Sequence, residues 1–366
     1  MQRVPVLSIN NKPLMPSKPS RARRWIKEGK AIGKWSKLNV YYVQLLVEAE
    51  NITQDIAVGI DPGKMFTGIA VLSQKYTLLT AHVELPFKNV TKRMLQRAMM
   101  RRSRRGRRIN RKVPYSKRSH RQARFNNRRQ LGMPPSIKTN KNLELRLLYL
   151  IVKLYPVTNV IYEVVKAKGN KGFSPVMVGQ KLMCEKLKNA SKLFNFKTLE
   201  GYQTSVTRKH LGLEKKKGNK SLKIPQTHAV DGIALAASHW LSYGIIDKNT
   251  MAWKGKLNLT DSLFLIISRP PISRRQLHLM VPAKGGKRRK YGGTVTRHGF
   301  RKGDYVKAIQ GDKTFFGWIS GDTERLVSVS DSHWNRLGQC SPKKVQLLKR
   351  STGLIITSEK YKVQGG

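Results

Sequence analysis

The chain has 366 residues, with 73 Lys and Arg against 20 Asp and Glu, a formal charge of +53. Self-repulsion among so many like charges disfavours a compact state, so a polyanionic partner is expected. Phosphate backbones are the first candidate, because Lys and Arg release condensed counterions on neutralising them. Apolar runs reach only about five residues, as in LFLII at 263–267, against the ~20 of a membrane helix. The opening MQRVPVLSINNKPLMP lacks a secretory apolar core, and Cys184 and Cys340 lack zinc or disulfide spacing; a cytosolic protein of two or three modules is expected.

In chain order, residues 1–50 hold a Pro-punctuated opening, a basic amphipathic helix in SRARRWIKEGKAI with Ser20 as its cap and Gly29 as its end, and a strand in NVYYVQLLVEA. Residues 56–85 alternate apolar and small side chains as two or three strands. From Leu85 to Leu143 there is no Asp or Glu and there are 20 Lys and Arg, densest in TKRMLQRAMMRRSRRGRRINRK at 91–112. Its arginines cover most of a helix circumference, leaving a narrow apolar strip at Met94, Leu95, Ala98 and Met99. Such a segment is either a disordered basic arm or a helix stabilised by phosphates packed around it. Residues 140–250 mix a Leu-rich helix (NLELRLLYLIVKLY), a strand (NVIYEVV) and a small-residue helix (AVDGIALAASHWL). From 251 onward short β runs between Gly turns (DYVKAI, FFGWIS, RLVSVS, KKVQLL, GLIIT) suggest a barrel-like all-β module. Trp25, Trp35 and Tyr41 are read as core residues in preference to nucleotide-stacking ones.

In so basic a chain, carboxylates within apolar segments are informative. Asp61 ends the strand IAVGID, Glu163 lies inside NVIYEVV, and His228 and Asp231 stand three apart at a helix start in THAVDGIALAA, on one helix face. Singly, each has a plain structural reading: a D-P-G turn, an exposed edge-strand Glu, a dipole-favoured Asp beside a core His. Together, strand Asp, strand Glu and helix His-x-x-Asp offer hard oxygen donors and an imidazole from three separated elements. That set suits Mg²⁺, and a pair of such ions can drive phosphodiester hydrolysis.

GIDPGKMFTGIAV, NVIYEVVKA and THAVDGIALA resemble the three split motifs of RuvC-type nucleases, which have the RNase H fold. The Arg-rich segment resembles the bridge helix of RNA-guided nucleases. The P-L-M-P at 13–16 and YGGTVTRHGFRKGDYV at 291–306 resemble the N-terminal and C-terminal regions of the IscB family. The resemblance spans essentially the whole chain. Only 64 residues, 164–227, separate Glu163 from His228, with His210 alone and no His-Asn-His set, so the chain resembles the HNH-lacking IsrB branch of these transposon-encoded proteins.

The resemblance implies an α/β fold: an RNase H-like (RuvC) core split by an Arg-rich bridge helix, with a small N-terminal PLMP domain and a β-rich C-terminal module. The expected divisions are 1–52, the PLMP domain; 53–86, the first RuvC segment; 87–130, the bridge region; 131–250, the second and third RuvC segments; and 251–366, the C-terminal domain reading a motif beside the target. Implied partners are a long structured guide RNA, with one protein per RNA, and double-stranded target DNA, in the prokaryotic cytoplasm and at the nucleoid; no membrane is implied. The implied activity is Mg²⁺-dependent nicking of the non-target strand, with two ions and Mn²⁺ as a substitute. Asp61, Glu163 and Asp231 are the implied metal carboxylates, and His228 a further ligand or the base for the attacking water. Arg93, Arg97, Arg101, Arg102, Arg104, Arg105, Arg107, Arg108 and Arg111 are the implied nucleic-acid contacts. The alternatives are a catalytically idle guide-RNA-binding or DNA-binding protein and an unguided RuvC-type resolvase. KGGKRRKYGG at 284–293 is either a phosphate- or base-approaching loop or a solvated one.

Overall fold

A computed structural model describes residues 2–86, 94–95, 98–99, 102, 112–117, 133–166, 175–215, 225–247, 250–271 and 295–362. The chain forms two compact units. One comprises Met1–Leu85, Thr139–Arg269 and Thr352–Gly366; the other comprises Pro86–Lys138 and Pro270–Ser351. Among the described residues no helix is long and apolar enough to cross a membrane.

The first unit opens with β1 (Val4–Leu7), β2 (Pro13–Ser17), α1 (Pro19–Lys27), β3 (Ala31–Trp35) and β4 (Tyr41–Leu45). They make a sheet ordered β2-β1-β4-β3 over a small core of Val6, Leu14, Ala22, Ala31, Val43 and Leu45. Lys18, not Ser20, occupies the helix cap. Pro19 takes the first helical position, where its missing N–H costs nothing and its fixed φ is helical. Gly29, at φ +70°, ends the helix as expected. Trp25 packs partly buried on this core, but Trp35 is 64 % exposed, edge-on to Tyr41 with ring centroids 5.4 Å apart. Tyr41, also expected in the core, is 36 % exposed, and its ring lies over the backbone of Gly33, where a Cβ would sit 2.0 Å from the Tyr41 hydroxyl.

The main sheet follows from β5 (Ile56–Pro62), β6 (Phe66–Ser73) and β7 (Tyr76–Glu84), an antiparallel meander. After α2 (Pro135–Val152), β8 (Asn159–Val164) pairs parallel with β5; after α3 (Pro175–Lys188), β9 (Asn195–Glu200) pairs parallel with β8. Then come α4 (Gly201–His210), α5 (Pro225–Ala237) and the hairpin β10 (Ser242–Asp247)–β11 (Thr250–Lys254). Two more strands, β12 (Ser262–Ser268) and β18 (Ile355–Tyr361), extend the sheet beyond β7, giving the order β18-β12-β7-β6-β5-β8-β9.

The strands read nearly continuously apolar because both faces are covered. Val58, Ile60, Ile69, Val71, Val160 and Tyr162 pack on one face with Leu143, Leu147, Leu148 and Ile151 of α2 and Met183 and Leu187 of α3. Ala57, Ala70, Leu72 and Ile161 pack on the other with Ala229, Ile233 and Ala236 of α5. An antiparallel 3-2-1 meander continued by two parallel strands on the side of strand 1, with helices on both faces, is the order of an RNase H-like core.

The second unit carries β13 (Tyr305–Gln310), β14 (Lys313–Asp322), β15 (Val327–Ser330), β16 (Arg336–Cys340) and β17 (Val345–Lys349), an antiparallel sheet ordered β16-β15-β14-β13-β17. Its own core is Val306, Ala308, Ile319, Val327, Val329 and Cys340. The expected C-terminal domain at 251–366 is therefore too wide. SLFLIIS at 262–268 and IITSEKY at 355–361 belong to the first unit's sheet, where Phe264, Leu265, Ile267 and Ile355 are buried. A run that apolar finds cover beside β7 and not on a half-solvated small sheet. Of the Arg-rich segment, Met94, Leu95, Ala98, Met99 and Arg102 are described; they are helical, and Met94, Leu95 and Met99 are exposed.

Glycines set the distance between α5 and the sheet. A Cβ on Gly59 would lie 2.1 Å from the Gly232 carbonyl oxygen, and one on Gly68 would lie 1.9 Å from that of His228. Gly59→Ala is expected to destabilise the chain by about 3 kcal/mol, the upper end of the usual overpacking cost, since backbone must move to admit the methyl. Gly244→Ala, with nothing within 4 Å of the added atom, should be near neutral; equal denaturation midpoints for the two variants would contradict this packing.

Candidate active site

Ile60 of β5 pairs with Tyr162 of β8 in parallel register, so the next residues, Asp61 and Glu163, stand side by side on adjacent strands, ~4.8 Å apart in the sheet. Strand alternation puts both on the face that α5 covers, with Ala57 and Ile161. Asp231 comes down on that face from α5 and is 3 % exposed. Gly201, at the start of α4, abuts Glu163: a Cβ there would lie 3.4 Å from the Glu163 Oε1.

The three carboxylates feel one another. Burial first, then the charges of Glu163 and Asp231, hold Asp61 well above the ordinary carboxylate range, while Lys215 opposes them. Glu163 is raised for the same first reason; a hydrogen bond from Thr204 works against this, Asp231 adds to it, and Lys215 and Arg208 oppose it. Asp231 is clamped by two cations: Arg208 donates to its Oδ1 at 2.6 Å and Lys215 donates to its Oδ2. Neither base had a signal in the sequence, being two among 73.

His228 lies one helical turn before Asp231, within a cluster of three rings. Its centroid is 5.0 Å from that of Phe66 and 4.9 Å from that of His82, which in turn is 4.9 Å from Phe66. His82, fully buried in β7, was legible only as a polar residue in an apolar strand. On the opposite face of the sheet lies a second polar group that sequence reading missed. The Lys141 ammonium donates to both Glu144 carboxylate oxygens at 2.9 Å and to the Tyr162 hydroxyl at 3.2 Å, and Thr67 donates to Glu144 at 2.9 Å. Lys141 and Glu144 are 3 % and 0 % exposed, a pair whose desolvation is tolerable only because the lone pairs are satisfied. The Glu144 charge reaches through the sheet and adds to the upward shift of Asp61.

The structure thus brings Asp61, Glu163 and Asp231 into one electrostatic group and seats His228 beside it on the same helix. Arg93, Arg97, Arg101, Arg104, Arg105, Arg107, Arg108 and Arg111 lie outside the described residues, as does the loop at 284–293; Arg102 is helical and exposed. Among the described residues no three His, Cys, Asp or Glu side chains converge as a ready ligand set, and both oxygens of Asp231 are engaged by Arg208 and Lys215. The donor chemistry nevertheless fits a divalent cation. Hard carboxylate oxygens come from three elements, and two of them carry a repulsion that added positive charge relieves.

Residues 4–178 match the model of a family described as RRXRR protein. The span holds Asp61, Glu163 and the run Arg101-Arg102-Ser103-Arg104-Arg105. No curated protein matches the chain in sequence. Among solved structures, similarity is found to Thermus thermophilus RuvC in complex with Holliday junction substrate, at 13 % identity and a TM-score of 0.28, over 51 % of this chain and 92 % of that one. T. thermophilus RuvC in a second structure gives 12 %, 0.25, 50 % and 92 %. The yeast mitochondrial Holliday junction resolvase Ydc2 gives 11 %, 0.25, 50 % and 77 %. Strand order, not these scores, places the sheet in the RNase H-like class.

The raised carboxylates have a consequence for stability. Asp61 and Glu163 hold protons more tightly folded than unfolded, so the folded state binds more protons and metal-free stability falls as pH rises above the ordinary carboxylate range. Asp61→Asn removes that cost. Without divalent ions at pH 7 it is expected to melt at least about 2 °C higher than the wild type and to lose part of the decline between pH 5 and 8. A lower melting temperature for Asp61→Asn would overturn the electrostatic account.

Proposed function

We propose that this chain is an RNA-guided DNA endonuclease, akin to the HNH-lacking IsrB branch of the IscB family, that nicks the DNA strand not paired to its guide. The observation that carries the reading is that Asp61, from a strand, feels the charges of Glu163 on the neighbouring parallel strand and Asp231 on a helix, in a chain whose charge is +53. The three sequence motifs and the order of the sheet support it. In this reading the three carboxylates hold Mg²⁺, two ions in all, with Mn²⁺ as a substitute. Such ions supply an activated water and neutralise the leaving oxygen.

The chain's own groups do the rest. Arg208 and Lys215, tethered by Asp231, turn positive charge toward an arriving phosphate. His228, packed against Phe66 and His82, either accepts the proton of the attacking water or serves as a further ligand. The water oxygen bonds to phosphorus as the bond to the 3′ oxygen breaks, leaving a 5′-phosphate and a 3′-hydroxyl. The arginines at 93–111 would track the backbone of the guide–target heteroduplex, where shape and not sequence is read. The interval 164–227 lacks a His-Asn-His set, so the guide-paired strand stays whole. The protein then works in the prokaryotic cytoplasm with one structured RNA and double-stranded DNA, and the sheet of the second unit is the candidate reader of the flanking motif.

The test begins with expression from the native locus and isolation of the RNA that co-purifies. With that RNA and Mg²⁺, supercoiled plasmid bearing the guide's target is expected to be nicked, with the cut confined to the strand that does not pair with the guide. Asp61→Ala and Glu163→Ala should each lower nicking by at least about 10³-fold and keep RNA-dependent DNA binding. Cleavage that needs no RNA and acts on branched junctions would mean an unguided resolvase. Binding without cleavage by the wild type would mean an idle guided binder.

A further inference from the structure

A strip of exposed apolar and aromatic side chains starts at the candidate site and is used by nothing described above. On α4, Tyr202, Val206 and His210 follow at i, i+4 and i+8, one face of the helix, running ~12 Å along its axis. Tyr202 is 66 % and Val206 44 % exposed. The strip begins one residue after Gly201, which abuts Glu163, and Arg208 of the same helix holds Asp231. At its far end the His210 ring stacks on Trp253 of β11, with centroids 4.0 Å apart and planes 9° apart. Trp253 pairs across the hairpin with Tyr243 of β10, and their centroids are 5.5 Å apart. The strip continues along the same hairpin face to Ile245, 64 % exposed, paired with Met251. Trp253 is backed by the core beneath α5, so the platform is held at its base.

We propose that this strip is a stacking track for single-stranded DNA, the strand that enters the site to be cut. Aromatic faces take any base by stacking, which suits a nuclease whose sequence choice lies elsewhere. Charge complementarity singles out this occupant. Exposed Lys209 and Lys256 stand close in sequence to His210 and Trp253, and GYQTSVTRKHLGL at 201–213 and TMAWKGK at 250–256 contain no acid; of the acids at the borders, Glu200 is paired with Lys166 and Asp247 ends β10. A strand with bases on the rings and phosphates toward these lysines is led along α4 to the carboxylates. The track rests on the nuclease reading for its purpose, not for its chemistry.

The probe is fluorescein-labelled (dT)12 and its fully abasic analogue, bound to the full-length chain in 0.5 M NaCl, where phosphate contacts are weakened and stacking is not. The wild type is expected to prefer (dT)12 over the abasic strand by at least about tenfold. Tyr202→Ala with Tyr243→Ala should cut that preference to about twofold or less, and the matching Phe substitutions should keep it. Both tyrosines are exposed, so the variants test the surface and not the core. No preference in the wild type, or an undiminished one in the alanine variant, overturns the proposal. So does a tyrosine dependence seen with (rU)12 and not with (dT)12, or sedimentation showing that these tyrosines join two copies of the chain. Since no cleavage is measured, a chain that keeps the tyrosine-dependent preference and never nicks defeats the nuclease reading alone.

Discussion

One helix backbone lies directly on a sheet backbone, and the candidate site exists because of that contact. Side chains ordinarily hold packed elements ~8–10 Å apart at their axes. Gly59 and Gly68 on the strands and Gly232 on α5 remove them at the crossing; a Cβ on Gly232 would lie 3.1 Å from the Ala70 nitrogen. The composition of the helix follows from the same need. Residues 229–237 are all buried and, apart from Asp231, mostly small, so the helix lies flush against β5 and β6. A larger residue at any of these glycines would lift Asp231 away from Asp61 and Glu163 without touching any of the three.

The second constraint is electrostatic. A chain with 53 more bases than acids still gathers carboxylates where they repel one another, and among the described residues Arg208 and Lys215 are the bases that bond to one of them, Asp231. Behind the sheet, Glu144 accepts from Lys141 on both oxygens and from Thr67, and the Lys141 ammonium also donates to the Tyr162 hydroxyl. In front, Asp61 and Glu163 stay protonation-prone. That contrast within one sheet separates a carboxylate that the chain itself satisfies from two that it leaves under strain, and perturbed groups of the second kind are the ones the proposed cation would relieve.

Strand Asp, strand Glu and helix Asp were legible from sequence because each interrupts an apolar pattern whose period is strong: IAVGID, NVIYEVV, THAVDGIALAA. The three-stranded meander and the Leu-rich helix were legible for the same reason. Arg208 and Lys215 were not, since one base among 73 carries no contrast. Lys141 and Glu144 were hidden because a Lys three residues before a Glu on a helix reads as a solvent pair, and only the fold says that the solvent face is buried. The reach of the C-terminal domain was misjudged because SLFLIIS looks alike in a small β module and in a large sheet; the pairing of Leu263 with Leu79 of β7 decides it. Trp35 and Tyr41 were misjudged because an aromatic residue in an apolar strand reads as core, and only the fold shows that both are exposed.

Charge and stacking also divide the work of delivering a nucleic acid strand. The long-range field of the lysines and arginines raises the local concentration of any polyanion, but it is screened within ~10 Å and does not choose a path. Close to Asp61 and Glu163 the nearest cations, Arg208 and Lys215, are already engaged by Asp231. On the proposed reading, the last stretch would draw on contacts whose energy does not depend on phosphate charge, and base faces on aromatic rings are of that kind. In the proposed track, Tyr202 and His210 stand on the helix whose Arg208 also holds Asp231, so base stacking would act beside the cations that Asp231 already engages.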